Sequence, residues 1–265
     1  MAAGEGRRLR PLTERWPKPV LPVDGRPVLA TLLRELAAAG IEDAWIVVGH
    51  LAGQVEALAG DGAGFGLRVR YAHQPEPLGS ADAVSRAVAA GAQAPLLVSA
   101  ADTVYTAGDL GAAAARWQEA GTGLGLGVRL GEDPRPEHTR VRVEDGRVTA
   151  LGEGDATAAP LWFFGAEAVA ALEDVPGPPY ALATVLERTF AAGGEVTALP
   201  LGPTRDLTRP ADLVRENFPY LWERTEGRGI DERIRDVRPV QAGPGADEEG
   251  HERPGDGRAR EGEAP

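Results

Sequence analysis

Apolar runs and amphipathic stretches alternate along most of the chain. Residues 44–49, 67–71 and 95–100 read as short strands, the first an unbroken apolar run of Ala44, Trp45, Ile46, Val47 and Val48 closed by Gly49. Between them, residues 27–39 place Leu29, Leu32, Leu33 and Leu36 on one helical face, and residues 51–59, 80–90 and 107–120 carry similar patterns. Gly40 and Gly91 stand where helices stop. Short strands separated by helices predict right-handed βαβ units, a parallel sheet and helices on both of its faces.

After Gly121 the pattern changes. Residues 123–130 form a glycine-interleaved strand, expected to pack closely against another backbone. Segments 140–143 and 147–151 flank Glu144-Asp145-Gly146, which predicts a hairpin. A strand is expected at 161–164, helices at 166–173 and 180–192, a late strand at 195–200 and a last core helix at 210–222. The expected organisation is a folded domain over 1–222, an extension over 223–240 and an acidic tail over 241–265. In that tail 9 of 25 residues are Gly or Pro and seven are acidic, with nothing large and apolar to bury, so disorder is expected.

Composition then narrows the chemistry. With 265 residues and 43% apolar content the chain can bury a substantial core, and the absence of cysteine excludes disulfides, thiolate metal sites and cysteine nucleophiles. A net charge of −12 argues against nucleic acid as a partner. No apolar run reaches about 18 residues and the first ten residues are charged, so neither a membrane span nor a signal peptide is expected, and the expected location is cytoplasmic. Against this background residues 7–18 stand out, holding four arginines and the single lysine of the chain, Lys18, which lies between Pro17 and Pro19. Gly4 and Gly6 just before them allow the backbone to approach an anion closely. A cationic island beside such a loop suits a polyphosphate. Leu9 stands where a dinucleotide fingerprint needs its third glycine, and no phosphate-loop lysine motif occurs, so neither of those readings applies. His50, His73 and His138 are scattered and receive no role, and no serine-nucleophile motif is present.

Taken as a whole, Ala2-Ala3-Gly4-Glu5-Gly6-Arg7-Arg8-Leu9-Arg10-Pro11-Leu12-Thr13 followed by Pro17-Lys18-Pro19 resembles the signature of the sugar-1-phosphate nucleotidylyltransferase family. Gln74-Pro75-Glu76-Pro77-Leu78-Gly79-Ser80-Ala81 is similar to its base-reading segment. Residues 96–102, ending in Ala101-Asp102, are similar to its strand ending in Gly-Asp, and residues 206–213 to its second metal segment. The resemblance covers roughly residues 1–220. It implies a three-layer α/β/α sandwich with a mostly parallel, mixed sheet, of the nucleotide-diphospho-sugar transferase type. It also implies transfer of a nucleoside monophosphate from a nucleoside triphosphate to a sugar 1-phosphate, with pyrophosphate released. By that resemblance Ala3, Gly4, Gly6 and Arg8 hold the triphosphate, and Lys18 neutralises charge at the reacting centre. Gln74, Gly79 and Ser80 bind the nucleotide, and Asp102 and Asp206 ligate Mg²⁺. A close variant of the reaction would use another small phosphate as acceptor.

Three positions depart from the pattern. Arg7 replaces a small hydroxyl residue, and Ala101 a glycine. The lysine that grips the sugar phosphate is absent from residues 152–155, which leaves Glu153 as the sugar-phosphate position. These departures keep a second reading open, a nucleotide-binding regulatory module or pseudo-enzyme of the same fold. The family also has a buried aliphatic strand before the glycine loop, and here that first strand is largely missing. The expectation is a native start upstream, with about three to six further residues, mostly Val, Ile, Leu or Ala, and with Met1 at an aliphatic position; burial of such side chains is worth roughly 1.5–3 kcal/mol each.

Overall fold

The computed structural model of the chain describes residues 1–131 and 138–218. The expected end of the last helix, the extension over 223–240 and the tail over 241–265 lie outside the described residues.

A two-residue hairpin, β1 (Pro22–Val23) with β2 (Arg26–Pro27), leads into α1 (Val28–Ala38). That helix buries Leu29, Leu32 and Leu33, the apolar stripe expected from the spacing. β3 (Asp43–Val48) and β4 (Arg68–His73), joined through α2 (Ala52–Ala59), pair in parallel with Val48 opposite His73. α3 (Ser80–Ala89) leads to β5 (Leu96–Ser99), then to β6 (Thr103–Val104) and α4 (Asp109–Ala120).

The second half is built on β7 (Leu124–Leu130), the hairpin of β8 (Arg140–Glu144) and β9 (Arg147–Leu151), and β10 (Ala156–Phe164). α5 (Ala166–Ala170), α6 (Ala183–Ala191), β11 (Val196–Pro200), β12 (Arg205–Asp206) and α7 (Pro210–Asn217) follow. Six strands form one sheet in the order β5-β10-β7-β11-β9-β8. The expectation of a mostly parallel sheet needs correction. Among the named strands of the described residues only β7–β11 and β3–β4 pair in parallel, and β10 runs against β5, β7 and β8. The reason lies in β8 and β10: β8 turns back on β9 as a hairpin, and β10 runs against β8 and then enters between β5 and β7 against both, so antiparallel pairs dominate.

β7 shows why helices cover both faces of this sheet. Leu124, Leu126 and Val128 pack with Val84 of α3 and Val185 and Leu186 of α6. The alternate positions, Gly125 and Gly127, face the cluster of Leu161, Phe163 and Leu199 that α4 joins through Leu110 and Ala113. A Cβ on Gly125 would lie 2.7 Å from the Trp117 ring, and one on Gly127 would lie 2.9 Å from the Leu161 Cβ. The glycines therefore make room for side chains, not for the neighbouring backbone that the sequence pattern suggested.

Residues 1–3 lie between β3 and β5. The Ala2 N–H donates to the Val47 carbonyl at 2.7 Å, Ala2 bridges Val48 in parallel, and the Ala101 N–H donates to the Met1 carbonyl at 2.9 Å. The Met1 ammonium donates to the Ser99 carbonyl at 2.7 Å. Beyond this point β3 and β5 do not pair, and an apolar cavity of about 420 Å³ separates them, lined in part by Leu29, Leu33, Val47, Val84, Leu96 and Val98. Among the described residues no helix is long and apolar enough to cross a membrane.

Candidate active site

The glycine loop is held from behind and presented forward. Leu9 is fully buried among Leu21, Val23, Val28 and Leu207 and pins the middle of the segment. Gly6 takes the left-handed conformation (φ 60°), and its carbonyl accepts hydrogen bonds from the Leu9 N–H and, at 2.9 Å, from the Thr13 hydroxyl. His50 contributes scaffolding. Its Nε2 lies 2.6 Å from the Thr13 carbonyl, a partner that fixes Nε2 as the protonated nitrogen. Glu5 accepts hydrogen bonds from Arg7 at 2.7 Å and Arg10 at 3.3 Å, and the Arg7 hydrogen bond above all holds its carboxyl below the usual range. Two of the loop's arginines are thus engaged with Glu5. Arg8 faces a cavity of about 410 Å³ instead.

Lys18 begins a short helical turn fixed by Pro17 before it and the buried Pro19 after it. Its ammonium pairs with the Asp102 carboxylate, and both side chains are largely shielded, 15% and 26% exposed. Asp102 directly precedes β6, and β6 pairs with β12 so that Thr103 lies opposite Asp206. This two-residue ladder brings Asp206 opposite the neighbour of Asp102, and the two carboxylates, about a hundred positions apart in sequence, line one cavity. The Thr208 hydroxyl donates to Asp206 Oδ2 at 2.7 Å. Thr208 is in turn fixed by Asp212, whose Oδ2 accepts the N–H groups of Thr208 at 2.8 Å and Arg209 at 2.7 Å and so caps α7. Asp212→Ala should cost about 1–2 kcal/mol, as loss of an N-terminal cap does. Thermal melts check this, and an unchanged melting temperature would remove Asp212 from the support of Asp206.

Five of the residues singled out in the sequence, Arg8, Lys18, Ser80, Asp102 and Asp206, line this one cavity. Ala3, Gly4 and Gly6 belong to the loop beside it. Gln74 and Gly79 lie just behind Ser80. The buried Gln74 amide nitrogen donates to the Gly79 carbonyl at 2.9 Å and to Asp82 Oδ2 at 2.7 Å. Both partners are acceptors, which settles the amide orientation and leaves only Gln74 Oε1 to meet a ligand. Gly79 (φ 128°) packs so tightly on the Tyr180 backbone that a side chain there would collide with it. Glu153 is not brought to the cavity. It is exposed at the end of the β8–β9 hairpin and pairs with Arg142 at 3.1 Å, because the hairpin turns that stretch outward.

The structure adds residues that the sequence reading passed over. Arg129, Trp162, Thr204 and Thr208 line the same cavity. Arg129 is a charged residue in an otherwise apolar and glycine strand, and that anomaly was the available signal. Tyr105 supports the floor, its hydroxyl 2.8 Å from Ser99 Oγ and 3.1 Å from the Pro160 carbonyl, and burial raises its pKa well above the ordinary phenol value.

The donor set decides which metal suits the site. Among the described residues no group of three or more His, Cys, Asp or Glu could enclose an ion. Asp102 and Asp206, two carboxylates lining one cavity, could hold a hard cation that draws its other ligands from water and substrate phosphate, the habit of Mg²⁺.

A family model described as nucleotidyl transferase matches residues 1–153. Glucose-1-phosphate thymidylyltransferase of Streptomyces antibioticus is 48% identical over 84 residues, 32% of this chain and 24% of that protein. Mannose-1-phosphate guanylyltransferase of Mycobacterium tuberculosis is 41% identical over 85 residues, with the same shares. These alignments span about a quarter of the length of those curated relatives. In fold, the chain is similar to the inositol-1-phosphate CTP transferase from T. maritima, with a TM-score of 0.70, 18% identity, and coverage of 89% of this chain and 94% of that one. The glycine loop, Lys18 and Asp102 all fall inside the matched residues 1–153, more than half of the sequence, and the chain belongs to the nucleotidyl transferase family.

Proposed function

We propose that this protein transfers a nucleoside monophosphate from a nucleoside triphosphate to a sugar 1-phosphate. The observation that carries the reading is one cavity wall holding Arg8, Lys18, Asp102 and Asp206 beside a glycine loop. An oxygen of the acceptor phosphate attacks the α-phosphorus, the new P–O bond forms, and the bond to pyrophosphate breaks. Such a transfer asks the protein mainly for positioning and charge neutralisation. Arg8 and the loop N–H groups hold the triphosphate oxygens, and Lys18 places a compact positive charge at the reacting phosphate. Mg²⁺ on Asp102 and Asp206 would supply further neutralisation of the triphosphate. Before substrate arrives, the Lys18–Asp102 pair keeps both side chains turned into the cavity. Helices on both faces of the mixed sheet support a three-layer α/β/α arrangement of the nucleotide-diphospho-sugar transferase type. Nucleoside triphosphates are cytoplasmic substrates, and the reading sets the protein there.

The test is incubation with each nucleoside triphosphate, Mg²⁺ and a panel of sugar 1-phosphates while pyrophosphate is followed. Release that requires both substrates supports the reading. Tight nucleotide binding without release for any acceptor would favour a binding-only regulatory module, a reading that the outward placement of Glu153 favours. Asp102→Asn and Asp206→Asn should each raise the half-saturating Mg²⁺ concentration by roughly tenfold or more, the scale of a lost charged contact. Half-saturation that stays put in both variants removes them from the metal site.

A further inference from the structure

Ala2 bridges Val48 in parallel, and Val48 lies opposite His73, so Ala3, Gly49 and Gln74 stand in a row just past three neighbouring carboxyl ends. Ligands of open α/β sheets bind past those ends. Two strand spacings, about 10 Å, separate Gln74 from the start of the glycine loop. A nucleoside whose phosphates occupy that loop spans such an interval and brings the edge of its base to Gln74.

Gln74 is 5% exposed, and both hydrogens of its amide are taken, one by the Gly79 carbonyl at 2.9 Å and one by Asp82 Oδ2 at 2.7 Å. Its Oε1 accepts no hydrogen bond among the described residues and is not shut off from solvent. The Ser80 N–H, first of α3, has no acceptor among the described residues either, and Ser80 lines the cavity. An acceptor and a donor thus face the ligand side together. The amide cannot be turned over, because Oε1 would then meet a carbonyl and a carboxylate, two acceptors. Asp82 is itself fixed by Arg86, one turn along α3, whose Nε donates to the same Oδ2 at 2.7 Å.

Nucleobases differ along the edge that such a pair meets. Uracil, thymine and guanine carry a ring N–H beside a carbonyl oxygen. Cytosine and adenine carry a bare ring nitrogen beside an amino group. Oε1 accepts the ring N–H of the first kind, and the Ser80 N–H donates to its carbonyl oxygen. Against the second kind, acceptor meets acceptor and donor meets donor. Phosphates held in the glycine loop leave the base one register, so it cannot slide along to restore the match.

Resting on the transfer reading of this site, we propose that Asp82 is a positioning residue for base selection. By holding Gln74 as an acceptor, it makes the protein take a nucleoside triphosphate with a keto base, uracil, thymine or guanine, in preference to one with cytosine or adenine.

The test compares UTP with CTP and GTP with ATP, pairs that differ chiefly in this edge. Calorimetric Kd values are measured with Mg²⁺ and no acceptor for the full chain, Asp82→Ala and Asp82→Asn. In the pair whose keto member binds more tightly, the unaltered protein should favour that member by roughly tenfold or more, the scale of one buried polar group left unsatisfied. Asp82→Ala leaves the Arg86 guanidinium beside the amide to draw Oε1 inward. The ratio should then fall close to one, with the amino base binding more tightly than before, a gain that damage to the fold cannot produce. Asp82→Asn keeps an acceptor oxygen in the same place and should retain most of the preference. No keto preference in the unaltered protein, an unchanged ratio in Asp82→Ala, or an equal loss in Asp82→Asn overturns the proposal and leaves the transfer reading standing. Selective binding without pyrophosphate release for any acceptor keeps the proposal and overturns the transfer reading. Failure of the unaltered protein to bind any of the four nucleotides overturns both.

Discussion

Lys18→Ala is expected to lower pyrophosphate release by roughly 10²–10³-fold, the loss seen when one preorganised charge-stabilising donor is removed. The lysine is aimed by the structure. Pro17 and the buried Pro19 fix the backbone on either side, and Asp102 receives the ammonium inside the cavity. Charge that develops on the transferring phosphate meets this side chain in a largely shielded place, where electrostatic stabilisation is stronger than in water. The fold should tolerate the change. Asp102 keeps about a quarter of its side chain exposed, so water reaches the carboxylate left behind, and the cost is about 1 kcal/mol or less. Lys18→Arg should restore only part of the rate, since a planar fork on a different stem cannot place its charge at the same point. A fully active arginine variant would remove the claim that a point charge is needed, and a fully active alanine variant would remove Lys18 from the reaction.

How far the sequence could be read followed the size of each physical signal. The strand of Trp45 to Val48 and the helix bearing Leu29, Leu32 and Leu33 were legible because each repeats its apolar pattern for several residues. Strand order was not. Nothing local in residues 156–164 says that they enter between β5 and β7, and that insertion makes antiparallel pairs dominate a mixed sheet that was expected to be mostly parallel. The β6–β12 ladder is two residues long on each side, below what periodicity registers, yet it is what brings Asp206 opposite the neighbour of Asp102. Asp206 came instead from the resemblance to a family segment. Where that resemblance was loosest, around residues 152–155, it pointed to Glu153, which faces solvent. Arg129 went unread because a single charge in a strand breaks a pattern without starting one. Gln74 came from the resemblance as a base-reading amide, and only the packing shows that its amide nitrogen is bound internally to Gly79 and Asp82.

Four aliphatic residues joined ahead of Met1 are expected to raise the melting temperature at pH 6 by roughly 10 °C, taking about 2–4 °C per kcal/mol for a domain of this size. Two separate effects add. The first is electrostatic. The Met1 ammonium is buried between β3 and β5, and loss of hydration lowers its pKa from 8.0 to about 6, against a partial opposing pull from Asp102. Between those two values the unfolded chain binds more protons than the folded one, so stability rises with pH. It is about 2 kcal/mol lower at pH 6 than at pH 8, out of about 3 kcal/mol for the whole shift of two units at about 1.4 kcal/mol each. An amide at that position carries no charge and removes the loss. The second effect is apolar. The cavity beyond Met1 presents Leu29 and Leu33 from one side and Val84 from the other, so side chains on both faces of an added strand find apolar partners. Each such side chain gains roughly 1.5–3 kcal/mol on burial, opposed by about 1–2 kcal/mol for ordering each residue. The unpaired backbone edges of β3 and β5 gain hydrogen bonds as well. Melts of both chains at pH 6 and pH 8 are the measurement, with N-terminal acetylation as a third sample that removes the charge and leaves the cavity. Acetylation should flatten the pH dependence without the further gain, and the extended chain should show both. Equal melting temperatures at pH 6, or an unaltered pH dependence in the acetylated and extended chains, would show that neither the ammonium nor the cavity limits the stability of this fold.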